Sequence, residues 1–163
     1  MDSEFELIYR TIFIGIGATL FMDLWALFQK VFFKIPSLNY RLVGRWIGHL
    51  SKGRISHNTI TQSPPITGEQ ILGWTAHYLI GIIFTWLFIV IMGISWIDSP
   101  TILASIIMGA ISTVAPFFIM QPCFGFGFAA SKTPKPHIAR LRSLVAHVSF
   151  GIGLYLSALL LTI

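Results

Sequence analysis

Hydrophobic positions run almost unbroken through four stretches of this chain. They extend from about Leu7 to Val31, Gln70 to Trp96, Thr101 to Met120 and Arg140 to Ile163. A helix that crosses the hydrocarbon core of a bilayer needs about 20 mostly apolar residues, and each stretch meets that length. The first contains one acid, Asp23, with Lys30 near its end, and the second contains no Lys, Arg, Asp or Glu. Asp98-Ser99-Pro100 separates the second from the third as a short turn. The pattern predicts an all-α polytopic membrane protein, a bundle of four transmembrane helices forming one domain over residues 1–163. The opening Met1-Asp2-Ser3-Glu4-Phe5-Glu6 is acidic where a cleavable signal is basic, so it is not read as one.

The connection over residues 34–69 has a pattern of its own. Leu42, Val43, Trp46, Ile47 and Leu50 recur at helical spacing, with Arg41 and Arg45 off that stripe. This predicts a short amphipathic helix lying at the cytoplasmic interface, or a segment packed against the end of the bundle. Gly53, Pro64, Pro65 and Gly68 then mark a turn-rich return.

Composition agrees with the pattern. Of 163 residues, 55% are hydrophobic and 10% charged, against about 25% charged in a soluble domain. The mean hydropathy is +0.78. These figures argue against a disordered chain, a nucleic-acid-binding domain and an ordinary soluble enzyme. The single cysteine, Cys123, leaves no internal disulfide and no thiolate metal cluster within one chain. Beside Pro122, it reads as a small apolar filler.

Charge placement predicts an orientation. Of the 11 Lys and Arg residues, only Arg10 lies on one side; the rest flank the first and third connections. The positive-inside rule makes the basic side cytoplasmic. Both termini are then periplasmic or extracellular, and the location is a bacterial inner membrane, with the lipid bilayer as the first partner.

Three ionisable residues fall inside the predicted spans: Asp23, His77 and His147. An Asp at a helix centre costs about 2.5–3.5 kcal/mol on insertion scales, and such residues usually face the bundle interior or an aqueous cavity. At about 1.5 Å per residue, all three lie about 10–12 Å from the cytoplasmic ends of their spans. Gly15, Thr19 and Asp23 stack on one helix face, as do Gly73, His77 and Gly81, and Ser143, His147 and Gly151. Pro116 on the third span frees the carbonyl of Ser112, which the Ser112 and Thr113 hydroxyls help to satisfy.

Several chemistries fit this polar layer. It serves as structural hydrogen bonding, or as a proton or solute pathway, since histidine titrates near pH 6.5. It also fits a haem held by His77 and His147, or a metal ion held by Asp23, His77 and His147. Below it, Asn39, Tyr40, Arg45, His49, His57 and Glu69 cluster in the first connection, and Gln121, Arg140 and Arg142 flank the third. Arg45, Arg140 and Arg142 would favour an anionic solute there or lipid phosphates. His49 or His57 would be the base of an enzyme, but spacing fixes no nucleophile–base pair. Gly127-Phe128-Ala129-Ala130-Ser131-Lys132 lacks the Gly-Lys-Ser/Thr ending of a phosphate loop. The preferred reading is small-solute or proton-linked transport. Haem or metal binding, and a structural or assembly role without catalysis, are the alternatives. Glycine-lined helix faces add self-association as an expectation.

Two features link distant parts of the chain. Ala76-His77-x-x-x-Gly81-Ile82 is echoed by Ala146-His147-x-x-x-Gly151-Ile152, a weak sign of two repeated two-helix units. In addition, Gly17-Ala18-Thr19-Leu20, Met22-Asp23-Leu24-Trp25, Pro36-Ser37-Leu38-Asn39-Tyr40, Val43-Gly44-Arg45-Trp46, Gly73-Trp74-x-Ala76-His77-Tyr78, Met120-Gln121-Pro122 and His147-x-x-Phe150-Gly151 span most of the chain. Together they resemble a family of bacterial inner-membrane proteins known as domain of unknown function 2938. The resemblance implies four spans and an inner-membrane location. It implies no activity, cofactor or site residue.

Overall fold

The computed structural model describes residues 2–163; Met1, the first residue of the acidic opening, lies outside them. The described residues are all helix, turn and loop, without a strand. Seven α-helices follow in order: α1 Asp2–Phe33, α2 Tyr40–Leu50, α3 Glu69–Met92, α4 Ser95–Asp98, α5 Ile102–Ser112, α6 Gln121–Cys123 and α7 Pro136–Leu159. Four helical runs are long and apolar enough to cross a membrane: Glu4–Phe33, Glu69–Met92, Ile102–Cys123 and Pro136–Leu159.

Local chemistry sets the helix ends. α3 stops at Met92, four residues before the expected end, because Gly93 takes φ +86° and its N–H caps the Ile89 carbonyl at 2.8 Å. A left-handed residue just past the last turn is the usual helix terminator, and glycine adopts it without strain. The expected turn at Asp98 begins as the short helix α4, which buries Trp96 and Ile97. The third run passes Pro116 by widening into a π-turn, Pro116–Met120, closed by the Gln121 N–H on the Pro116 carbonyl. It therefore continues to Cys123. α7 opens on Pro136, where a proline ring suits the first helical position.

The chain divides into two compact units. Among the described residues, the first unit comprises 2–37, Tyr78–Ser112 and Ala146–Ile163. It holds α1, most of α3, α4, α5 and the second half of α7. Ile14, Ala18, Phe88, Ile97, Leu154 and Ala158 form its core, with Phe88 and Trp96 edge to face at 4.6 Å. Small residues let its helices approach backbone to backbone. A Cβ on Gly109 would strike the His147 carbonyl and the Gly151 backbone. Gly153 lies equally close to Ala18, and Gly15 to Ile82. Such contacts are the usual means of helix association in lipid. The outward positions are apolar too: Leu24, Ile83, Val90, Leu103 and Ile107 are all exposed. A bundle with apolar side chains inside and outside matches a hydrocarbon surround, not water.

The second unit comprises Leu38–His77 and Thr113–Val145. Its core is small: Val43, Ile60 and Phe124, with Trp46, Met120 and Phe126 against them. Two backbone hydrogen bonds clip its loop to α6, from the His57 N–H to the Cys123 carbonyl (2.9 Å) and from the Ile60 N–H to the Phe124 carbonyl (3.0 Å). α2 forms with Asn39 as its cap, the side chain accepting from the Arg41 N–H at 3.2 Å. Its buried residues are Val43, Gly44 and His49. The apolar spacing places the buried stripe differently because it ignores Gly44, which has no side chain to count. A Cβ there would overlap the Glu69 carbonyl and crowd the Gly73 amide. That glycine allows α2 to lie directly against the first turns of α3.

Candidate functional site

In the second unit, the clearest construction surrounds Glu69, the first residue of α3. Its carboxylate is almost fully buried. It accepts from Arg45 Nε (2.8 Å) and Nη2 (3.0 Å), from Arg41 Nε (3.1 Å) and Nη2 (2.9 Å), and from the Ile66 N–H (3.1 Å). Arg45 meets it through two donors on one fork, the geometry that makes arginine a strong carboxylate partner. The side chain of Arg45 is only 12% exposed. Its remaining nitrogen, Nη1, donates to the carbonyls of Ser63 (3.1 Å), Ile60 (3.3 Å) and Thr61 (3.4 Å). The hydrogen bond to Glu69 holds the guanidinium above its ordinary range, against the opposing pull of burial. The i,i+4 spacing of Arg41 and Arg45 puts both on one side of α2, and close packing at Gly44 brings that side to α3. Arg45 is therefore a structural clasp in this unit, not a cation open to an anionic solute.

Two histidines bond the same loop. His49 Nε2 donates to the Pro64 carbonyl at 3.0 Å. His57 Nδ1 lies 2.9 Å from Ser63 Oγ, and the two imidazoles meet edge to face with centroids 5.0 Å apart. Both residues are buried. His57 Nε2 has no hydrogen-bond partner, and neither has the buried Oε1 of Gln121. Burial, the nearby Arg54 charge and His49 all hold the His57 imidazole below its ordinary range. Tyr40 stacks on His77 at 4.0 Å and lies 4.6 Å from Trp74. Arg140 Nε donates to the Ala129 carbonyl at 2.8 Å. Arg142 is exposed.

The first unit holds Asp23 and His147. The Tyr78 hydroxyl donates to Asp23 Oδ2 at 3.1 Å. This bond joins α1 to α3. His147 Nδ1 lies 2.7 Å from Ser112 Oγ, joining α7 to α5, and Ser112 also donates to the Gly109 carbonyl at 2.7 Å. A carbonyl only accepts, so the serine proton goes to Gly109 and the imidazole donates from Nδ1. Thr19, one turn before Asp23, bonds back to the Gly15 carbonyl at 2.8 Å. Both ionisable groups are half-buried and meet neutral hydroxyls.

Asp23 and His147 belong to the first unit; His77, Asn39, Tyr40, Arg45, His49, Glu69, Gln121, Arg140 and Arg142 belong to the second. Among the described residues, no group of three or more His, Cys, Asp or Glu side chains is placed to hold a metal ion. Sequence reasoning did not find Ser63 as the partner of His57 or Arg41 as the second cation on Glu69. Both pairings close through a turn-rich loop, and spacing along such a loop carries no phase.

Comparison with known families gives one result. The family model described as "Protein of unknown function (DUF2938)" matches residues 12–161. No curated protein and no solved structure matches the chain.

Proposed function

This chain belongs to the family of proteins of unknown function DUF2938, and on that premise we propose that it is an integral inner-membrane protein that passes protons, alone or with a small solute. The observation that carries this reading is the pair of half-buried ionisable groups, Asp23 on α1 and His147 on α7, each in a stretch (residues 11–29 and 143–159) that holds no other Asp, Glu, Lys, Arg or His. Ionisable groups at membrane depth are costly, and they mark ion or proton pathways often enough to be functional candidates by default. Each is held by a hydroxyl, from Tyr78 or Ser112. A hydroxyl can give or take a hydrogen bond as its partner changes protonation, which suits a proton relay.

The orientation follows from charge. Ten of the 11 basic residues lie on one side, which the positive-inside rule makes cytoplasmic, leaving both termini periplasmic. The bilayer is the partner that the exposed apolar positions call for. Self-association draws no support from the glycines, since Gly15, Gly109, Gly151 and Gly153 are used against helices of the same chain.

The test is proton influx into pyranine-loaded proteoliposomes under an imposed pH gradient, with valinomycin and potassium compensating charge. Wild-type protein is expected to exceed protein-free vesicles, and His147→Gln to slow the influx. Wild-type influx equal to that of empty vesicles overturns the reading.

A further inference from the structure

The Glu69 clasp accounts for Arg41 and Arg45 but not for the two buried histidines of the second unit. His49, on α2, and His57, on the loop, are both over 90% buried. Each bonds the loop that follows the 3-10 turn Ile60–Gln62: His49 to the Pro64 carbonyl, His57 to the Ser63 hydroxyl. Trp46 adds a third tie from α2, its Nε1 donating to the Ile55 carbonyl at 2.8 Å. Residues 55–64 are thus tied to α2 by Trp46, His49 and Arg45, while His57 closes the segment on itself through Ser63 and meets α2 through the His49 ring.

The charge that bears on His57 is that of Arg54, whose sign opposes a proton there. On its own segment stands Arg54, on α2 stand His49 and Arg45, and on α6 the neighbouring titratable group is Cys123. The nearby acid, Glu69, is engaged by Arg41 and Arg45. Among the described residues, no carboxylate hydrogen-bonds or pairs with His49 or His57. A proton on His57 would place a donor at Nε2, an atom with no partner in this buried position. A buried charge without a partner costs several kcal/mol, and the usual escape is exposure to water.

We propose that His49 and His57 form an acid-sensitive latch, which holds residues 55–64 on α2 while His57 is neutral and releases them when it is protonated. The sign follows from linkage. The closed segment keeps the His57 pKa below 6.5, its ordinary value, whereas the released segment restores it. The released form therefore binds more protons as pH falls. Closure is complete above about pH 6.5 and is lost progressively below it.

Hydrogen exchange of the full-length protein in nanodiscs tests this, with rates corrected for the intrinsic pH dependence. From pH 7.5 to pH 5.5, protection across residues 55–64 is expected to fall by up to about tenfold, the factor set by titration of a histidine of ordinary pKa in the released state. His57→Gln is expected to abolish this pH dependence. Arg54→Gln, a change at an exposed residue, is expected to reduce it, because closed His57 would then accept a proton more easily. Should His57→Gln fail to fold, the Arg54→Gln comparison decides. Protection that is independent of pH in the wild type, or pH dependence unchanged in either folded variant, overturns the proposal.

Discussion

The two units use the same kinds of residue in opposite ways. In the second unit, Glu69 accepts from two guanidiniums and a backbone N–H, and Arg45 uses its last nitrogen on loop carbonyls. In the first, Asp23 meets the hydroxyl of Tyr78, and His147 that of Ser112. A guanidinium fixes its partner as a carboxylate, whereas the hydroxyls of Tyr78 and Ser112 bring no charge to theirs. The scaffolds differ to match. The first unit is held mainly by glycine-mediated backbone contact and apolar packing, its guanidinium–carboxylate pairs being the exposed ones of Arg10 with Glu6 and Asp98; the second has a buried charge network beside a three-residue core. The comparison gives structural work to Arg41, Arg45 and Glu69, and under the proposed function it leaves the chemistry to Asp23 and His147.

The largest effect is expected from breaking the clasp. Glu69→Gln leaves two guanidiniums without their counter-charge, one of them nearly buried. Removing one partner of a buried pair costs about 3–5 kcal/mol. Hydrogen exchange should show protection lost over residues 40–66 and retained over residues 82–92. Equal loss in both would deny that the second unit depends on its own network.

The first unit should break through volume instead. Gly109→Leu forces a side chain against the His147 carbonyl and the Gly151 backbone. Overpacking of this kind costs about 1–3 kcal/mol or more, read as a lower thermal midpoint in detergent. It should also slow proton influx, since His147 moves with its carbonyl. A variant as stable as the wild type would mean that α5 and α7 do not meet at this point.

How much of this was legible in the sequence differs between the units for the same physical reason. Hydrophobic runs report burial in lipid directly, so the four spans could be read from their length. Their ends were less clear. The stop at Gly93 depends on a positive φ, and the run past Pro116 on a π-turn, and hydropathy registers neither. The helical stripe at residues 42–50 predicted α2, but counting apolar side chains overlooked Gly44 as the contact with α3. Arg45 read as a cation facing a solute because its partner lies 24 residues away across a loop. Asp23 and His147 stood out from sequence because a polar residue in a long apolar run is conspicuous; their hydroxyl partners were not, since hydroxyls are common in such helices.

Smaller effects sharpen the contrast among the basic residues. Arg140→Ala removes the hydrogen bond to the Ala129 carbonyl at a left-handed alanine, and is expected to cost about 1–2 kcal/mol. Arg142→Ala, at an exposed position, should stay within about 0.5 kcal/mol of the wild type. Thermal melts of the two variants side by side check this order.

The most direct test of the division of labour compares Asp23→Asn with Glu69→Gln in the same proteoliposome assay, with thermal midpoints measured on the same preparations. Asn keeps an acceptor for Tyr78, so Asp23→Asn should melt within about 1 kcal/mol of the wild type while its proton influx falls to that of protein-free vesicles. Glu69→Gln should melt well below the wild type, yet conduct in proportion to the fraction that remains folded. Undiminished influx through Asp23→Asn, or complete loss of influx in folded Glu69→Gln, would contradict the account.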